Sequence, residues 1–372
     1  MQSRDLTRHR AGTKRLWRST IRPLDYPLWL ALTPASAAFR GAVAFRRLFW
    51  RFFRTTPGIP TISVGNLTVG GNSKTPFTLF LANRLRDRGL KVAILSRGYG
   101  AKSLADRAAV VALGGELRLP LEESGDEPAM MARSFAGPIA VARRRIDGIN
   151  LLERMAPLDA VILDDGFQHV RLARAVDLLL VSAGNGFGNG WMLPAGPMRE
   201  PIRAAHRADA AIVVDGGPGQ SSVITSSQMT RLANATKMLH ASVRPSALIV
   251  SEQGRWRETR PPLANRRVLA VSGLANPAGF YAMLRELEAD LTGVLEYPDH
   301  HDYSAADWQA IVTAARSADL VVTTEKDLVK LERFPFAGNS LCALRLEVRM
   351  NEDDAHALDA LVLERINMTK AA

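Results

Sequence analysis

The sequence predicts an α/β protein: a P-loop-type domain built on a three-layer parallel sheet, a smaller second α/β domain, and an amphipathic, membrane-associated helix ahead of both. Three observations predict it. Thr61–Tyr99 reads strand, glycine loop, helix, strand. Leu158–Gly166 is an apolar strand ending in two carboxylates, Asp164 and Asp165. From Arg267 to Thr323 strands alternate with helical patterns, which implies parallel pairing.

The first unit carries the strongest signal. Thr61–Val64 is a short β-branched run suited to a buried strand. Gly70-Gly71-Asn72-Ser73-Lys74-Thr75 follows, and Pro76 sits in the first helical turn, where a missing N–H costs nothing. Gly89 is placed to end that helix, and Lys91–Leu95 is the next strand. A glycine loop between strand and helix lets backbone N–H groups converge on an anion, and the helix N-terminus adds partial positive charge. Lys74 would reach the outer phosphates of a nucleotide, and Thr75 would offer its hydroxyl to magnesium. The common G-x-x-x-x-G-K-[ST] spacing is not met, because Thr68 and Ser73 stand at its glycine positions.

Composition limits the partners. The chain has 372 residues, 47% of them hydrophobic, enough for two domains. The single cysteine, Cys342, excludes an internal disulfide and a cysteine zinc cluster. Net charge is +11, but residues 1–54 hold twelve Lys/Arg against two Asp, a balance of +10, leaving +1 for the other 318 residues. A basic tail on a near-neutral body points to an anionic surface touched by the tail alone. Residues 1–22 lack the order of a signal peptide. Pro27–Phe39 is apolar but spans 13 residues and contains Pro34, short of the roughly 20 that a membrane crossing needs. In Phe39–Arg54, Arg40, Arg47, Arg51 and Arg54 fall on one helical side, with Ala42, Phe45, Phe49, Phe52 and Phe53 opposite. That pattern describes a helix lying in an anionic lipid interface. The large apolar faces argue against nucleic acid.

Further along, Arg97 lies at the C-terminal end of a strand, the edge that holds ligands in open α/β sheets. Ala109–Leu113 and Glu116–Leu119 suggest a hairpin, Glu127–Phe135 a helix, Pro138–Ala142 a strand and Arg143–Met155 a helix. Asp164 and Asp165 are suited to meeting magnesium from the side opposite Thr75. Gln168 and His169 follow closely enough to line the same site. Val176–Val181 is a strand, and residues 184–201 form a long glycine-, proline- and aromatic-rich loop read as covering the acceptor, with Arg199 and Glu200 inward. Ala208–Val214 closes the first sheet. The segments are then 1–56, a basic amphipathic arm; 57–217, a nucleotide-binding domain; 218–264, a connector with short strands; and 265–372, a second α/β domain ending in the helix Asp353–Asn367. Pro298-Asp299-His300-His301 lies between repeats of that last block. Neighbouring histidines diverge, so a catalytic or hydrogen-bonded loop histidine is the choice there rather than a metal pair. Thr323-Thr324-Glu325-Lys326-Asp327 ends its last strand, again at a ligand-binding edge.

Seven stretches taken together, in order and spacing, resemble the tetraacyldisaccharide 4′-kinase family, the lipid A kinases. They are SVGNLTVGG-x-x-KTP (63–76), SRGYG (96–100), GDEP (125–128), DDGFQH (164–169), FGNGWMLPAGPMRE (187–200), DH (299–300) and TTEKD (323–327). The family lacks the first glycine of the common loop, as Thr68 does here, and carries glycine where this chain has Ser73, a serine expected in an ordinary backbone region. The resemblance implies transfer of the γ-phosphoryl group of ATP, with Mg2+, to the 4′-hydroxyl of a tetraacylated glucosamine disaccharide 1-phosphate. It also implies a peripheral enzyme, expected to be monomeric, on the cytoplasmic face of the bacterial inner membrane. Thr68, Val69, Gly70, Gly71, Asn72, Ser73, Lys74 and Thr75 would wrap the phosphates, with Lys74 neutralising developing charge. Thr75 with Asp164 or Asp165 would hold magnesium. Asp126 would take the proton of the acceptor hydroxyl, supported by His300. Arg97, Gln168, His169, Arg199 and Glu200 are weaker expectations for substrate contact. The rival readings are a membrane-associated P-loop ATPase switch without an acceptor, and a GTPase, against which no clear N-K-x-D signature is present.

Overall fold

A computed structural model describes residue 17 and residues 23–70, 73–98, 107–215, 222–252, 255–259, 262–336 and 341–371. The arm is one 27-residue helix, α1 (Tyr26–Phe52), with Pro34 inside it. Pro34, which the sequence analysis counted against a membrane crossing, does not interrupt the helix. Proline cannot donate to the Leu30 carbonyl four residues earlier, and the Thr33 hydroxyl donates to it instead, at 2.8 Å. By length and composition α1 is long and apolar enough to cross a membrane, so the length argument against a crossing does not hold. Ser36 and Val43 are buried, Phe39 packs at the edge of the core, and Arg47 approaches Glu200, all on one face. Phe45, Leu48, Phe49 and Phe52 are between 45% and 73% exposed.

The first α/β unit is β1 (Thr61–Asn66), α2 (Lys74–Asp87) and β2 (Val92–Ser96). Gly89, at φ 83°, ends α2 as expected: its N–H donates to Arg86 O at 2.8 Å, and Leu90 N–H to Leu85 O at 3.1 Å. The hairpin is β3 (Ala109–Leu113) with β4 (Glu116–Leu117). There follow α3 (Leu121–Ser124), α4 (Asp126–Ala132), β5 (Ile139–Val141), α5 (Arg145–Met155), β6 (Ala160–Asp164), β7 (Val176–Ser182) and β8 (Ala210–Asp215). Next come α6 (Ser226–Ala233), β9 (Lys237–Glu252) and β10 (Arg255–Thr259). The last part holds β11 (Arg267–Ser272), α7 (Ala278–Glu286), β12 (Asp290–Glu296), α8 (Ala305–Ala314), β13 (Leu320–Thr324), α9 (Glu325–Leu331), β14 (Leu341–Arg349) and α10 (Glu352–Ala371).

All the named strands join one sheet, in the order β12-β11-β13-β14-β9-β8-β7-β1-β6-β2-β5-β3-β4, with β10 on β9. Ala208–Val214 was expected to close a first sheet; instead β8 passes the sheet on to β9. That strand is 16 residues long, where the sequence suggests only short ones. Its first part pairs with β8 in parallel, and Ser242–Val250 pairs with β14 antiparallel. Pro245, which cannot donate to a ladder, lies beside a register shift in β14, where such a residue is tolerated. The central strands β1, β2, β6 and β7 are buried along their whole length, as parallel strands covered on both faces must be. The C-terminal helix α10 is tied to α2, since buried Asp359 accepts from Arg84 Nε and Nη2 at 2.7 Å each.

Candidate active site

The phosphate loop leaves β1 at a crowded point. A Cβ on Gly65 would lie 2.6 Å from Phe167 Cβ, so only glycine lets the end of β1 pass the segment after β6. Gly70 has φ 111° and open space around it. Gly71 and Asn72 lie outside the described residues. Ser73 sits at φ 55° and ψ 27°, in the left-handed region. The expectation of an ordinary backbone is therefore wrong: the chain keeps the conformation a glycine would take, at a cost of roughly 1–2 kcal/mol. The loop must still turn into α2, and the rest of the fold fixes that turn. Ser73 gives α2 no side-chain cap, and its first turn contains no acidic residue. Its N-terminal amides are thus suited to an anion.

Lys74 donates to Gly70 O at 3.2 Å and Asn66 Oδ1 at 3.4 Å, and its Nζ lies 3.9 Å from Asp165 Oδ1. The glycine loop and the acidic strand tip are therefore neighbours, because β1 and β6 pair in parallel with Val64 opposite Asp164. Thr78, three residues beyond Thr75 and on the same side of α2, donates to Asp164 Oδ1 at 3.3 Å. Ser96 donates to Asp164 Oδ2 at 3.5 Å, and Arg145 Nη2 to the Asp164 carbonyl at 3.0 Å.

The two aspartates differ. Burial first, then the charges of Glu127 and Asp165, push the Asp164 carboxyl up to about 7. Burial opposes ionisation of Asp165 too, but hydrogen bonds from Arg199 and the charges of Lys74, Arg199 and Arg145 outweigh it and hold that carboxyl at about 2. Arg199 grips both Asp165 oxygens at 2.9 Å and also donates to the carbonyl and side chain of Asn66. Gln168 donates to the same Asn66 carbonyl at 2.7 Å. Asn66 is thus a hub that the sequence did not single out, although it lies inside the SVGN stretch.

The segment 187–200 lies on the phosphate loop. Thr68 bridges to Met198, Val69 N–H donates to Pro197 O at 2.9 Å, and Arg199 N–H to Leu67 O at 2.7 Å. Arg199 faces inward as expected. Glu200 does not meet the substrate expectation: it is fully buried, and Arg207 holds both its oxygens at 2.7 and 2.8 Å. His169 is half-buried, and burial followed by Arg145 and Arg97 lowers its imidazole to about 3. Arg97 is exposed at the strand edge. Tyr99 and Gly100 lie outside the described residues.

A second cluster joins the two halves of the sheet. Asp126, the first residue of α4 after Gly125 at φ 81°, faces His300 from the loop after β12. His300 Nδ1 lies 2.9 and 3.1 Å from the Asp126 oxygens. Lys330 donates to Asp126 Oδ2 at 3.4 Å, and Lys326 lies 3.9 Å from it. Burial opposes ionisation of Asp126, but the His300 hydrogen bond and the charges of Lys326, His300 and Lys330 outweigh it and keep the carboxyl below its usual range. Glu127, raised by burial, feels both Lys326 and Lys74, so it lies between the two clusters. Helix α9, which carries both lysines, is a second element absent from the sequence reading; TTEKD was its only sign.

Fold and site define a P-loop α/β phosphotransferase. The family model for tetraacyldisaccharide-1-P 4′-kinase matches residues 28–367. The chain is 39% identical over 348 residues to the tetraacyldisaccharide 4′-kinase of Anaeromyxobacter dehalogenans (strain 2CP-C), covering 90% of each. It is 37% identical over 372 residues to that of Syntrophus aciditrophicus (strain SB), covering 95% of this chain and 98% of the relative. The crystal structure of "apo" form LpxK from Aquifex aeolicus in complex with ATP matches with a TM-score of 0.75 and 29% identity, over 91% of this chain and 99% of that one. The chain belongs to the tetraacyldisaccharide-1-P 4′-kinase family. Its activity is accordingly that of a lipid A biosynthesis kinase acting on a hydroxyl group, and an acceptor-free ATPase switch is not favoured.

Proposed function

We propose that this protein moves the γ-phosphoryl group of ATP to the 4′-hydroxyl of a tetraacylated glucosamine disaccharide 1-phosphate, using the two clusters in separate roles. The observation that carries this is their proximity, with Glu127 feeling the charges of both Lys74 on the nucleotide side and Lys326 on the acceptor side. The amides around Gly70 and the N-terminus of α2 bind the phosphates, and Lys74 offsets charge that develops as the bond to the β-phosphate breaks. The acceptor oxygen forms the new bond to phosphorus, its proton passes to Asp126, and ADP leaves. Nδ1–H of His300 holds the Asp126 carboxylate in place for that transfer.

Magnesium fits the nucleotide side. Asp164 is buried beside the carboxylates of Glu127 and Asp165, whose repulsion a divalent cation would relieve. Thr75 and Asp164 would hold it, and when bound it would neutralise charge on the β- and γ-phosphates. Asp165 is already engaged by Arg199, so its part is to orient that arginine and Lys74.

The arm fits a peripheral position on the cytoplasmic face of the inner membrane. An acyl-bearing acceptor stays in the bilayer, and α1 exposes Phe45, Phe49 and Phe52 together with Arg40, Arg46 and Arg51, which suits an anionic lipid interface. The test is direct. Protein, ATP, Mg2+ and the lipid disaccharide are expected to yield phosphorylated lipid, and release of inorganic phosphate alone would overturn the reading. Asp126→Ala and His300→Ala are each expected to keep ATP binding and lose turnover at least about tenfold.

A further inference from the structure

The sequence singled out TTEKD as a charged strand end, and the phosphoryl-transfer scheme leaves its lysine unused. We propose that Lys326 is a positioning residue that fixes the tautomer of His300 and so aims its Nδ1–H at Asp126. This rests on the reading of Asp126 as the proton acceptor.

The argument starts from donors and acceptors. A lysine ammonium donates only, and Lys326 Nζ lies 3.2 Å from His300 Nε2 and 2.9 Å from Asp299 Oδ1. An N–H on Nε2 would point hydrogen at hydrogen, so Nε2 must present its lone pair. The ring's one proton is then on Nδ1, where the Asp126 carboxylate accepts it at 2.9 Å.

The local structure holds this arrangement. Lys326 is 13% exposed, and the charges of Asp126, Asp299 and Glu127 favour its ammonium over the penalty of burial. Among the described residues, Asp126 lies against Nδ1 of His300 with Lys330 and Glu127 behind it, and Lys326 and Asp299 lie on the Nε2 side. His300 is at φ 60°, a backbone state that non-glycine residues rarely take and that its surroundings must hold in place. In α9, Thr324 caps the first turn and Glu325 and Asp327 complement it. Lys326 is the one cation there, where a helix gains nothing from it. Its purpose lies across the cleft.

The experiment compares wild type, Lys326→Met and Lys326→Arg at saturating lipid. Lys326→Met is expected to lower kcat about tenfold, the low end for a proton-transfer contribution, with the KM for ATP within about twofold. Lys326→Arg, which restores a cationic donor, is expected to recover most of that loss. Nitrogen NMR of histidine-labelled protein, without substrate, is expected to show His300 as the Nδ1–H tautomer in wild type and a mixture of the two tautomers in Lys326→Met. An unchanged tautomer would overturn the proposal, as would a loss expressed in the KM for ATP, which would make Lys326 a phosphate contact. A wild-type protein that fails to phosphorylate the lipid would instead overturn the parent reading, and the NMR comparison would still decide the tautomer.

Discussion

Glu200 was expected at the acceptor, and its burial yields a sharp alternative. Its side chain has no exposed area and forms two hydrogen bonds with Arg207, while Arg47 of α1 lies 3.8 Å away. Arg207 also donates to the Phe167 carbonyl at 2.9 Å, and its guanidinium lies 3.8 Å from the centre of the Phe167 ring. Glu200→Gln keeps the shape and removes the charge, leaving one guanidinium 15% exposed and another 35% exposed without their carboxylate. Breaking one partner of a buried pair costs about 3–5 kcal/mol. The partial exposure of both arginines places this case at the lower end, about 3 kcal/mol. For a chain of this length that corresponds to a Tm lower by roughly 4 °C. Thermal denaturation of Glu200→Gln, Arg207→Gln and the double variant measures it. The double variant is expected to lose less than the sum of the singles by about 1 kcal/mol or more. A Tm within about 1 °C of wild type, with a raised KM for the lipid, would refute the burial argument and restore Glu200 to the acceptor.

The remaining predictions follow from single features. Phe45, Phe49 and Phe52 replaced together by Ser are expected to weaken vesicle cosedimentation at least about tenfold with little change in Tm, since all three rings are already exposed; unchanged binding would refute the lipid-facing assignment. Ser73→Gly exchanges left-handed strain of about 1–2 kcal/mol for about 0.5–1 kcal/mol of backbone entropy. It is expected to leave stability unchanged or slightly higher, whereas Ser73→Val is expected to destabilise and to raise the KM for ATP. His169 binds its proton near pH 3 when folded and near 6.5 when unfolded. The unfolded chain therefore holds more protons in that window, and stability falls as pH drops through it, by on the order of 4 kcal/mol. His169→Gln is expected to flatten that acid limb of stability; an unaltered limb would show that the imidazole is not held neutral.

What was legible in the sequence was local. Gly70, Lys74 and Pro76 mark a strand–loop–helix unit within a dozen residues, and Asp164-Asp165 ends an apolar run, so the nucleotide side could be assembled from short stretches. The strands β9 and β14 were not legible. Arg244-Pro245 looks like a break, and it is tolerated only because the antiparallel partner shifts register there. Ser73 was misjudged for a related reason: intrinsic preference favours an ordinary backbone, and the surrounding turn overrides it at small cost. Lys326 was seen without its role. Its partners are 26 residues away at His300 and 200 residues away at Asp126, a meeting that only the fold creates.

The segment 187–200 shows why a stretch with no helix or strand can still be fixed in place. From one side α1 holds it: the buried Ser36 hydroxyl donates to Met192 O at 2.8 Å, and Trp29 meets Trp191 edge-on at 5.1 Å. Trp17 Nε1–H donates to Pro194 O at 3.0 Å. From the other side it is hydrogen-bonded to the phosphate loop at Leu67 and Val69, and Arg199 reaches Asp165. Phe187, Met192 and Met198 fill the space between, each nearly or fully buried. The segment thus replaces the missing ladder of a strand with contacts at both faces, as buried backbone groups require. Under the proposed membrane position, the surface that meets lipid and the loop that meets phosphate are then two ends of one packed unit.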